Sequence, residues 1–304
     1  MNRLPLAFFI LAATGSSHVP DPPQRWTPAA IASAQYEATP TFSPDGRELY
    51  FFRADRNFDH YRLLWSRCER AGWGAPEAVP FAAAPGVLEA DPFVTSDGQR
   101  LYYVSARPAY GEAPAVDADL DIWFVQRDRA GRWGLPQRLP EPVNSPATEL
   151  LPRLDDRGRL WFGSDRAGGL GGRDIYVATQ AGDGLWQVAN AGAPISSASD
   201  EYEASPSGDG LQLVVVADRG DRSHLHHYQW RGEHWVERGR VAARDDVFQV
   251  GPLLSPRGDR VLFAQADREQ SGELFIADLR TDASREWPPT CTPQAENAHK
   301  QQRP

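Results

Sequence analysis

Thr41-Phe-Ser-Pro-Asp-Gly-Arg-Glu-Leu-Tyr-Phe-Phe52 reads as a strand end, a tight turn and a second strand. Asp before Gly is a strong hairpin signal, because Gly takes a positive φ without a Cβ clash. The run Leu49-Tyr-Phe-Phe52 is short and unbroken, the mark of a strand buried on both faces. The turn returns at Thr95-Ser-Asp-Gly98, Asp155-Asp-Arg-Gly158, Ser207-Gly-Asp-Gly210 and Ser255-Pro-Arg-Gly258. Nine residues before each turn glycine stands an acid or amide: Glu37, Glu89, Glu149, Glu201 and Gln249. The glycines are 52, 60, 52 and 48 residues apart, so one supersecondary unit is built over and over.

Outward from the turn, each unit has the same order. A first strand begins near the Glu, and a second follows the turn. A third is carried by Leu63-Leu-Trp65, Asp121-Ile-Trp123, Asp174-Ile-Tyr176, His226-His-Tyr228 and Leu274-Phe275. A fourth carries Trp73, Trp133, Trp186, Trp235 or Trp287. Four antiparallel strands repeated radially make a propeller blade. The fold class is therefore all-β: a β-propeller of four-stranded blades, five in number, with six as the alternative. Residues 36–290 form the propeller and 291–304 a disordered tail. Residues 18–35 are a Pro-rich lead-in. Because Trp26-Thr-Pro28 looks like another fourth-strand segment, either it or the Trp287 segment closes the last blade; the N-terminal closure is favoured, since it joins both chain ends in one sheet.

Met1-Asn2-Arg3 followed by the apolar run Leu4–Ala13 and the small residues Ala13-Thr14-Gly15 reads as an export signal over residues 1–17. The run is shorter than the ~20 apolar residues a membrane span needs. The chain is thus expected to be exported, periplasmic or secreted, and not membrane-spanning. Its 304 residues carry a formal charge of −9, which argues against nucleic acid as a partner. A single Met, with 26 Gly and 26 Pro, suits short strands and many turns. The two cysteines, Cys68 and Cys291, lie in the first repeat and just beyond the last. Export permits a disulfide; in a closed ring it would staple the seam, and the alternative is two unpaired thiols.

The string at 41–52, with Phe162-Gly-Ser-Asp-Arg-Ala-Gly-Gly-Leu-Gly-Gly-Arg-Asp-Ile-Tyr176, resembles the WD40-like PD40 repeat, the unit of the TolB propeller domain. The resemblance covers about residues 36–290. It is closest in the first three repeats; Ala204 and His226 depart from it in the fourth and Gln249 in the fifth. It implies a β-propeller and a cell-envelope setting. It does not imply one activity, since function lives in sites grafted on folds.

The first strand of a blade lines the central channel, which places Glu37, Glu89, Glu149 and Glu201, with Gln249, at one level near one mouth. Such a ring either binds a cation or an amine-bearing ligand, Ca²⁺ or Mg²⁺ being the ions oxygen ligands suit, or it is scaffold. As scaffold, each carboxylate is held by the Arg close to the end of the second strand, Arg56, Arg107, Arg166, Arg219 and Arg268, or by backbone N–H groups. Repetition in every blade and the cost of unpaired buried charge favour scaffold. No cofactor is called for.

His224 and His226 share a strand face, a two-ligand start for a transition metal that His234 would join across a hairpin; the plainer reading is an exposed polar strand. The insertion from Pro108 to Leu120, with Asp117, Asp119 and the following Asp121, lacks the glycine and terminal Glu of an EF-hand and reads as a solvated or partner-facing loop. No Gly-x-Ser-x-Gly elbow is present. The expectation is a non-catalytic exported propeller, a monomer, binding a protein or glycan of the envelope. The alternative is a carbohydrate-active hydrolase or lyase using a carboxylate pair at the channel mouth. Such a site should break the repeat, with unlike residues at equivalent positions.

Overall fold

The computed structural model describes residues 21–58, 60–108, 119–267 and 272–291. The export signal at 1–17, Asp117, Arg268 and the tail beyond Cys291 lie outside the described residues. The strands form five antiparallel sheets, so the ring has five blades. The innermost strands are Tyr36–Phe42, Glu89–Val94, Glu149–Leu154, Asp200–Pro206 and Gln249–Leu254. Each lies against the next, and that of blade five against that of blade one. A closed ring of this kind leaves only short outer edges.

The second strands are the hydrophobic heart of each blade. Leu213, Val214, Val215 and Val216 are fully buried, as are Leu49, Tyr50 and Phe51. Blades pack so closely that side chains are excluded in places. A Cβ added to Gly163, in the second strand of blade three, would lie 2.0 Å from the Tyr202 carbonyl of blade four.

The outer strands are less uniform than the recurring tryptophan suggests. In blade three Trp186–Asn190 and in blade four Trp235–Arg240 are continuous. In blade one the outer strand is split: Gly72–Trp73 pairs with Cys68 and Glu69, and Glu77–Ala78 with Leu64 and Trp65. Blade two has an isolated Arg127–Trp133 bridge and then Gln137–Arg138. The breaks fall at Pro76 and Pro136 in Trp-Gly-x-Pro, where proline has no N–H to give the ladder. In blade five the tryptophan rule fails. The fourth place is taken by Gln24–Arg25, paired with Ile276 and Phe275, while Trp287 lies outside any strand.

Each innermost strand bulges just past its Glu or Gln, where the register shifts against the second strand. Thr39, Asp91 and Leu151 take positive φ there (47°, 57° and 45°), as does Gly251. A bulge re-aims side chains. It decides what reaches the channel.

Candidate functional site

The carboxylates at 37, 89, 149 and 201, and Gln249, are essentially inaccessible, at 0–3% exposure. Each is locked to the segment that enters its blade. Arg53 Nε donates to Glu37 at 2.7 Å and Arg166 Nη2 to Glu149 at 2.9 Å; Arg107 pairs with Glu89. The same guanidinium groups donate to incoming carbonyls: Arg53 to Ile31 (2.7 Å), Arg107 to Phe81 (3.0 Å) and Arg166 to Val143 (2.6 Å). Serine hydroxyls complete the lock: Ser145 donates to Glu149 at 2.7 Å and Ser197 to Glu201 at 2.6 Å. Burial still dominates, holding the carboxyls of Glu37, Glu149 and Glu201 above the ordinary glutamate range.

Two members of the expected Arg set do otherwise. Glu37 is served by Arg53, directly opposite it in the ladder, and not by Arg56. Glu201 faces Ala217, where blades two and three have Ser105 and Ser164. Those serines accept from Arg107 Nε (3.3 Å) and Arg166 Nε (3.1 Å) and donate to the Glu. Without one, Arg219 turns to Glu237 (3.0 Å) and the Tyr228 hydroxyl (2.6 Å). Gln249 donates to the carbonyls of Arg244 (2.6 Å) and Val247 (2.7 Å).

The histidines do not converge. His224 Nδ1 meets Gln249 Oε1 at 2.9 Å, and His226 Nδ1 meets Glu237 at 2.7 Å. Both are buried, at 4% and 5% exposure, so this strand is not the exposed polar one that its sequence suggests. Burial keeps the His226 pKa below its ordinary value, against the pull of Glu237. His234 is exposed in the turn, its carbonyl accepting from Arg231 N. Asp121 is held by Arg138 at 2.6 Å. Among the described residues no three His, Cys, Asp or Glu side chains are grouped to hold a metal. Cys68 and Cys291 form a disulfide, with their Cα atoms 5.3 Å apart.

The channel itself is set by residues the repeat pattern hides. Two positions past each Glu or Gln stand Thr39, Asp91, Leu151, Glu203 and Gly251, five unlike residues at equivalent places. Two positions further on in blade three is Arg153. Asp91, Arg153 and Glu203 are buried, at 4%, 0% and 8% exposure. They also stitch neighbouring blades together. Asp91 accepts from Leu151 N (3.0 Å), Glu203 from Gly251 N (2.6 Å), and Arg153 Nη1 donates to the Pro92 carbonyl (2.9 Å). One arginine faces two carboxyls. Burial and the Asp91 charge push Glu203 up to about 8, and burial raises Asp91 as well. Burial also lowers the Arg153 guanidinium, to about 10.

Asp91 and Glu203 line a cavity of about 510 Å³ at the end of the channel where the first strands begin. Its wall is aromatic, with Phe52, Phe58, Tyr61, Tyr202 and Phe248, and Arg56 and Arg173 also reach it. Phe58 sits with φ at 58°, its ring 4.7 Å from Tyr36 and 5.7 Å from Phe248. A bulky side chain seldom adopts that backbone. A second cavity of about 350 Å³ lies at the turn end of the ring.

No protein-family model matches the chain. No curated protein matches it either. Solved structures do. TolB from Acinetobacter baumannii superposes with a TM-score of 0.51 at 14% identity, over 83% of this chain and 56% of that one. A candidate TolB from Agrobacterium tumefaciens gives 0.52 at 17% identity, over 82% of this chain and 79% of that one. An oligogalacturonate lyase from Vibrio parahaemolyticus gives 0.45 at 14% identity, over 84% and 69%, too loose a likeness to bear on function. This chain thus spans little more than half the length of the Acinetobacter protein. Together these define the class: a five-bladed β-propeller with a TolB-like fold. At such identities the likeness is one of fold.

Proposed function

We propose that this is an exported propeller of PD40-type repeats that binds a protein or glycan of the cell envelope, without catalysis, at the aromatic mouth of its channel. The export signal in the sequence and the TolB-like fold support the setting. The observation that carries the reading is the 510 Å³ cavity, walled by five aromatic rings, Phe52 and Tyr202 on strands and Phe58, Tyr61 and Phe248 on the adjoining loops. Aromatic side chains supply large contact area at small entropic cost, and they dominate binding energy where they cluster.

The test is binding of the purified chain to isolated envelope fractions, for the parent and for Phe58→Ala and Phe248→Ala. A loss of tenfold or more in both variants is expected, with melting temperature as the control for folding. Undiminished binding would reject the mouth as the contact.

One observation favours the second reading. A glycosidase needs one protonated and one ionised carboxyl, and Asp91 and Glu203 both line the cavity. Against it, both are spent on backbone N–H groups of the next blade. Release of reducing sugar from envelope polysaccharide, abolished by Glu203→Gln, would decide for the hydrolase.

A further inference from the structure

The two ends of the channel are unlike. The aromatic mouth is lined by the ring itself, whereas the turn end is partly roofed by the chain's own C-terminal segment. There Trp287 and Pro289 complete a wall otherwise made by Phe42, Phe93, Leu154 and Leu253 of the first strands and by turn residues. Pro289 sits so close over the first turn that a Cβ on Gly46 would lie 2.7 Å from it. Trp287 packs against the main core.

This segment is fastened differently from everything around it. Residues 279–291 carry no strand pairing. Pro288 and Pro289 have no N–H to offer a ladder. Ser284 N donates to Asp259 at 3.0 Å, and Arg260 donates to the Trp287 carbonyl. Leu279 N also donates to the Asp259 carbonyl at 2.8 Å and Arg285 pairs with Asp278 at 2.9 Å; the last anchor is covalent, Cys291 being bonded to Cys68 on the third strand of blade one. Both cysteines are only half-buried, within reach of a thiol.

We propose that the turn end of the channel is a binding site for a Trp-Pro-Pro segment, its rim held by the chain's own Trp287-Pro288-Pro289 and locked by the Cys68–Cys291 disulfide. The chain's own segment defines the ligand chemistry: an indole packed on the apolar core at the turn end of the channel, followed directly by two prolines. Unlocking is thiol–disulfide exchange with a dithiol. One thiolate attacks a sulfur of the pair, the second resolves the mixed disulfide, Cys68 and Cys291 leave as two thiols, and the dithiol closes to its own disulfide. With the bond opened, an apolar contact and a few hydrogen bonds remain, and an equivalent segment in trans competes for the place. The inference is independent of what binds the aromatic mouth.

Two measurements test it. Trypsin cleavage after Arg280 and Arg285, both exposed, is followed by intact mass in the oxidised parent and in the Cys68→Ser/Cys291→Ser variant. Cleavage at these two sites at least tenfold faster in the variant is expected, ahead of any cleavage in the ring. Equal rates would show that the segment stays seated without the bond, and would overturn the lock. Anisotropy of a labelled peptide covering residues 284–290 then reads the site, with Trp287→Ala added to the double variant to weaken the cis competitor. Binding at least tenfold tighter than to the oxidised parent, and lost when the peptide's own tryptophan is alanine, is expected. Binding indifferent to that tryptophan, or none at all, would overturn the site; cleavage of the whole ring would show that the bond holds the fold and not a cover.

Discussion

Glu149 shows how one side chain holds a blade in register. It collects Ser145, Ser164 and Arg166, and the arginine in turn grips the Val143 carbonyl. Removing a carboxylate from such a buried pair leaves the guanidinium uncompensated, a loss of about 3 kcal/mol. Glu149→Ala and Glu89→Ala should each show it as a lower urea midpoint with an unchanged slope. Glu203 makes the opposite prediction. Its pKa in the fold, about 8, lies above the ordinary 4.5, so the folded state binds more protons between those values and stability falls as pH rises through the window. Glu203→Gln, which keeps an acceptor for Gly251 N, should flatten that fall and melt above the parent at pH 9. A variant that tracks the parent at every pH would refute the protonated carboxyl. The glutamate positions were legible in the sequence because they recur at fixed distance from a turn glycine. Asp91, Arg153 and Glu203 were not, because the reading followed the positions that recur in every repeat, and these stand where the five blades differ. The signal that could have found them was the unlikeness of the five residues two places past each Glu.

Strands tolerate or forbid small changes according to what lies across the gap between blades. Gly163 is the sharp case. Alanine there would drive a Cβ to 2.0 Å from the Tyr202 carbonyl, and main chain cannot yield as a side-chain tip can. Gly163→Ala should cost more than about 2 kcal/mol in chemical denaturation by overpacking. Gly182→Ala, with nothing within 4 Å of the added carbon, should change stability by less than about 0.5 kcal/mol. Equal effects would mean that blades three and four are not pressed together as described. Second strands could be read directly from unbroken apolar runs. Outer strands were read only in part, since tryptophan marks the place but proline decides whether the ladder continues: Pro76 and Pro136 interrupt it, whereas the N-terminal closure of blade five, favoured from the segment at Trp26, is found at Gln24–Arg25.

The molecule closes on itself twice at the junction of blades five and one. Gln24–Arg25 supply the last strand of blade five, and Cys291 is bonded to blade one across 223 residues of sequence. In the chain-entropy account a loop of that length stabilises the fold by roughly 5 kcal/mol. Cys68→Ser/Cys291→Ser should therefore lower the urea midpoint while leaving the β-rich circular dichroism of the native state intact, because the strand closure survives. Loss of that signal in the absence of denaturant would show that the strand alone does not close the ring. The placement of both tethers has a mechanical consequence. Traction on the two ends of the described chain is borne at a single seam, and the other four junctions feel none of it until that seam parts. A permuted chain, joined there and opened at any other junction, would carry the same five blades and move the weak point with the cut.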